Sequence, residues 1–206
     1  MSAEGARWFV AFSGTSRIAE GELRSVALAA RAVPEDRRRP VRIFDDDSGE
    51  VVQVDLSGSP AEVVARLAML PKEGEKEEAG SGARGPGRPR LGVVSKEVTL
   101  LPRHWAWLGS QRGSVSATLR RLIDEARHMH EGRDAVRRAQ DSAYRFIAAM
   151  MAGNDAVYEE AIRALYRGDA ERFERETEPW APDVRAYARK LAAGAFREPT
   201  RTPDRD

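Results

Sequence analysis

The chain has 206 residues, 41% hydrophobic and 33% charged, which suffices for one ordinary domain or for two small ones joined by a linker. It holds no cysteine, so disulfide scaffolds, thiolate metal sites and thiol catalysis are excluded, and no uncharged run approaches the roughly 18 residues of a membrane span. A net charge of +1 conceals an uneven distribution: residues 84–127 carry 9 Lys/Arg against 3 Asp/Glu, while every other stretch is neutral or acidic. One strongly basic segment in such a chain is the asymmetry of an anion-binding element.

Taken in chain order, Trp8-Phe9-Val10-Ala11-Phe12 is a short apolar run closed by Gly14, and residues 15–20 return beside it as a second strand. Leu23, Val26, Ala27, Ala30 and Val33 recur at helical spacing, and Pro34 with the run Arg37-Arg38-Arg39 marks the exit. Val41, Ile43 and the stretch 51–56 are β-rich and flank Asp45-Asp46-Asp47-Ser48-Gly49, which reads as a hairpin turn. Ser59 caps a last helix with Pro60 at its first position and Val63, Val64, Leu67 and Leu70 on its apolar face. The fold class is α+β, and residues 1–70 form a small ββαββα module.

Residues 71–92, charged and then rich in Gly, Pro and Arg, read as a flexible linker. Residues 93–130 read as a short strand, a short helix opened at Pro102, a glycine turn, and a helix capped by Ser114 with Val115, Leu119, Leu122, Ile123 and Ala126 on one face. From 131 to 196 only helical spacing survives. Ala139, Ala143, Phe146, Ile147 and Met150 mark one helix, and Gly153-Asn154 breaks the chain. Val157, Ala161, Ile162 and Leu165 mark a second helix, and Gly168-Asp169 opens a third around Phe173. Val184, Tyr187, Ala188 and Leu191 carry a fourth after Pro182. Residues 197–206 are expected to be a disordered tail.

The basic segment carries two resemblances. Arg84-Gly85-Pro86-Gly87-Arg88-Pro89-Arg90 resembles the AT-hook, an extended peptide of the A·T-rich minor groove. Glycine lets its backbone meet the groove floor, and arginine is drawn to the negative potential there. Lys96-Glu97-Val98-Thr99-Leu100-Leu101-Pro102-Arg103-His104-Trp105, followed by the capped helix, resembles the ribbon-helix-helix family of bacterial DNA-binding proteins. That resemblance implies a homodimer with paired strands, Glu97 and Thr99 facing the major groove, and Val98 and Leu100 facing inward. It also implies phosphate at the helix amides near Ser114 and Ser116. Lys96, Arg103 and Arg120 complete the expected DNA-contacting set. Trp105 and Trp107 lie two residues apart and cannot share a helical face, so at least one of them is expected at an interface, with Trp105 the better candidate for the core.

As a whole, the chain resembles a family of uncharacterised bacterial proteins known only as a conserved domain of unknown function. Catalytic and metal-binding patterns do not converge. His128 and His130 point different ways on a helix, the aspartate run misses the spacing of a calcium loop, and Ser13 has no evident base. The expectation is therefore a cytoplasmic, non-enzymatic DNA-binding protein, a bacterial transcriptional regulator acting as a homodimer on duplex DNA. It needs no cofactor, and no membrane or small-molecule ligand can be identified. The alternative is a protein–protein interaction module that docks through its tryptophans.

Overall fold

A computed structural model describes residues 7–34, 39–69, 96–151 and 155–197, without the side chains of residues 155–157. The linker arginines Arg84, Arg88 and Arg90, the break at Gly153-Asn154 and the tail from residue 198 lie outside this range, as do Arg37 and Arg38. The chain divides into two compact units, Met1–Leu70 with Glu131–Asp206, and Pro71–His130.

In the first unit, β1 (Phe9–Ser13), β2 (Ser16–Gly21), β3 (Val41–Asp45) and β4 (Val51–Val52) form an antiparallel sheet in the order β2-β1-β3-β4. The helices α1 (Leu23–Arg31) and α2 (Pro60–Ala68) complete the ββαββα order that the sequence implies. Ser59 caps α2 reciprocally: its hydroxyl accepts the Glu62 amide and the Glu62 carboxylate accepts the Ser59 amide, with Pro60 at the first helical position.

Strand β1 is buried at every position, because both faces of the sheet are covered. Period-2 alternation sends Phe9 and Ala11, with Ile43 of β3, to a core shared with Val26, Ala27 and Ala30 of α1 and Val63 of α2. Val10, Phe12 and Phe44 face the opposite way, into a second core with the C-terminal helices. Those helices are α4 (Val115–Met150), α5 (Asp155–Arg167), α6 (Ala170–Thr177) and α7 (Pro182–Ala192), followed by a 3-10 helix, Ala193–Phe196.

The sequence presents the N-terminal module and the C-terminal helices as successive stretches separated by the linker and the basic segment. In the folded chain they share one core, at whose centre Phe146 lies 5.4 Å from Phe12, 4.9 Å from Phe44 and 4.8 Å from Tyr187 between ring centroids. Such tilted and edge-to-face aromatic packing adds to the burial itself.

The aspartate run forms the expected β3–β4 turn and also fastens the sheet to the helices. Asp45 is buried. One of its carboxylate oxygens accepts the amides of Asp47 and Ser48, and the other receives Arg7 at 2.6 Å. Burial opposes its ionisation, but the Ser48 amide, Arg7 and the Ser48 hydroxyl together hold its carboxyl below the ordinary value. Asp46 accepts the Tyr187 hydroxyl at 2.8 Å and Lys190 at 2.7 Å, both from α7. Burial and the Asp46 hydrogen bond push the Tyr187 hydroxyl far above its ordinary pKa, so it remains a donor. The Asp47 carbonyl accepts the Ser142 hydroxyl of α4 at 2.6 Å. None of the described helices is long and apolar enough to cross a membrane.

Candidate nucleic-acid interface

The second unit holds most of the basic segment. Residues 96–101 belong to no strand, and the four-stranded sheet does not recruit them. Val98 is exposed and Leu100 half-buried, so the inward placement that the ribbon resemblance implies is not met by Val98 within this chain. Leu101 is extended, and Pro102 opens α3 (Pro102–Ser110), whose missing proline N–H falls where no intrahelical acceptor exists. The Ser110 hydroxyl donates to the Trp107 carbonyl at 2.8 Å and closes the helix.

After the turn at Gly113, Ser114 caps α4: its hydroxyl accepts the Ala117 amide at 3.2 Å and its carbonyl accepts the Thr118 amide at 3.0 Å. The amides of Val115 and Ser116 precede the first intrahelical acceptor, and the first turn carries no acidic residue. This helix start is therefore electropositive without a built-in counter-charge. The sequence segments the chain near residue 130, yet α4 runs unbroken through that point to Met150. Gly132 is the one glycine within it, at a cost of about 1 kcal/mol.

Among the described residues of this unit only Leu108, 3% exposed, and Thr118, 4% exposed, are buried. Trp105 and Trp107 are 45% and 48% exposed, so Trp105 does not enter a core of its own chain as the sequence suggests. Val98, Leu101, Ile123 and Met129 are exposed as well. Segments with so little buried surface do not offset their own ordering entropy, so most of the unit's apolar surface is left for another surface to cover.

Of the expected DNA-contacting residues, Lys96, Glu97 and Thr99 are exposed on the segment before α3, and Arg103 is exposed on α3. Ser114 is the α4 cap, and Ser116 and Arg120 are exposed on its first turns. Arg121 pairs with Glu125 at 2.7 Å, four residues on. Arg103 and Arg120 have no acidic partner among the described residues, and the same holds for Arg112 and Arg127, which motif reading passes over because they match neither resemblance. Each retains its charge for an external anion. Among the described residues no three His, Asp or Glu side chains come together as a metal would need.

These features define a class: a mixed α+β chain whose N-terminal antiparallel sheet is covered on both faces by helices, with a basic, core-poor helical unit inserted between its halves. A family model described as an uncharacterized protein conserved in bacteria (DUF2239) matches residues 8–192, and the chain belongs to that family. No curated protein and no solved structure matches the chain.

Proposed function

We propose that the protein is a cytoplasmic DNA-binding protein, a bacterial transcriptional regulator, in which the second unit pairs with a second copy and presents its arginines to duplex DNA. The observation that carries this reading is the combination, on residues 96–130, of exposed apolar side chains with arginines that lack internal carboxylate partners. A two-fold pairing would bury at least one of Trp105 and Trp107, which cannot share a helical face, because a closed dimer uses the same patch on both subunits. Phosphate contacts would come from Arg103, Arg112, Arg120 and Arg127, and from the amides at the start of α4.

Affinity for a duplex, followed by fluorescence anisotropy, is expected to fall about ten-thousandfold between about 50 and about 200 mM salt if the two chains together neutralise roughly eight phosphates. Arg103→Glu with Arg120→Glu is expected to flatten that slope as well as weaken binding. A chain that binds no duplex at the lower salt would contradict the reading. The exposure of both tryptophans also favours a second reading, a protein-docking module with the basic charge as a bystander. In that case the tryptophan surface still pairs, but duplex affinity is absent.

A further inference from the structure

A cavity of about 360 Å³ opens in the first unit where the middle of α4, the end of α5 and the 3-10 helix converge. Val136, Phe196 and the Tyr166 ring give it an apolar lining, and Arg133, Arg167 and Arg197 line it too. Arg167 and Arg197 make no ion pair with any described residue. These two guanidinium groups stand beside apolar surface with no described carboxylate paired to either, which suits them to an external anion.

The local chain geometry removes the main objection to an anion there. A helix C-terminus normally presents unsatisfied carbonyls, which disfavour negative charge. At the end of α5, Gly168 adopts φ +72°. The Gly168 amide donates to the Leu165 carbonyl at 3.2 Å and the Asp169 amide to the Ala164 carbonyl at 3.0 Å, the paired bonds of a Schellman turn. Gln140 of α4 donates a further hydrogen bond to the Leu165 carbonyl at 3.2 Å. Burial, with Asp141 and Tyr144 nearby, raises the Tyr166 hydroxyl above its ordinary pKa, so at neutral pH it is a donor. Asp141 opposes an incoming anion, but it stands against the two guanidinium groups of Arg167 and Arg197.

We propose that this cavity binds a small organic anion, its carboxylate or phosphate head held by Arg167 and Arg197 and its aromatic or short aliphatic body resting on Val136 and Phe196. The volume is near the lower end for ligand pockets, which suits a body of about one ring and excludes a nucleotide. The site is independent of the DNA reading, because its residues belong to the first unit.

Calorimetric titration of the full chain with phenyl phosphate, with 3-phenylpropionate and with inorganic phosphate tests the proposal. At least one aromatic probe is expected to bind about tenfold tighter than inorganic phosphate, and whichever binds identifies the head group. Arg167→Gln with Arg197→Gln is expected to weaken that binding about tenfold, the scale of a lost charge-assisted contact. Its melting temperature and duplex affinity should stay unchanged, since both side chains are exposed. No heat from either aromatic probe, affinity no better than for inorganic phosphate, or undiminished binding by the variant would overturn the proposal.

Discussion

Replacing Gly49 by alanine is expected to destabilise the first unit by about 3 kcal/mol or more, read as a fall in the denaturant midpoint. Gly49 closes the β3–β4 turn at φ +68°, and a Cβ added there would lie 2.1 Å from the Ser142 carbonyl oxygen of α4. Left-handed backbone costs a side chain about 1–2 kcal/mol, and a contact this short against helix backbone, which cannot swing aside, adds an overpacking cost of about 1–3 kcal/mol. The contact also explains why the turn holds so much polar bonding: only a glycine lets the Asp47 carbonyl come close enough for the Ser142 hydroxyl. Gly168 is the control. It too has positive φ, +72°, and belongs to the first unit, but a Cβ there meets nothing within 4 Å, so Gly168→Ala should cost only the backbone contribution of about 1–2 kcal/mol. Equal effects at the two sites would show that the turn does not press on α4.

Phe146→Ala is the second large effect, a loss of about 3–5 kcal/mol. Phe146 is fully buried and touches aromatic rings from β1, β3 and α7, so its removal leaves a void that no single element can fill. Amide hydrogen exchange gives the discriminating readout. Protection of β1 and β3 is expected to fall together with that of α7, because they close over one core. If β1 and β3 kept their protection while α7 lost it, the sheet and the C-terminal helices would be separate cooperative units.

The elements were legible in the sequence wherever the signal is local. Ser59, Pro60 and Glu62 announce α2 through the capping box, and the 2-residue and 3.6-residue periods mark β1, β3 and the last helices. The sharing of a core across some 60 intervening residues was not legible, because periodicity reports that a face is apolar and not what covers it. One hint was present. Phe9, Val10, Ala11 and Phe12 are apolar in succession, the pattern of a strand buried on both faces, whereas α1 and α2 cover only one.

The candidate interface was legible as charge and helix start, with Ser114 and Pro102 in their expected roles. The exposure of Trp105 was not. Tryptophan is read as core by its apolar area, and only the scarcity of other buried residues in the second unit reverses that expectation. The arginine-lined cavity was invisible, since Arg133, Arg167 and Arg197 are each separated by some 30 residues and converge only through the tertiary fold.

Sedimentation velocity of the full chain with a fluorescent duplex of about 25 base pairs at about 50 mM salt tests at once whether the second unit pairs and whether it binds DNA. A complex of two chains per duplex is expected, reduced to free duplex by Trp105→Ala with Trp107→Ala. Duplex that sediments alone in the presence of excess wild-type chain would contradict it.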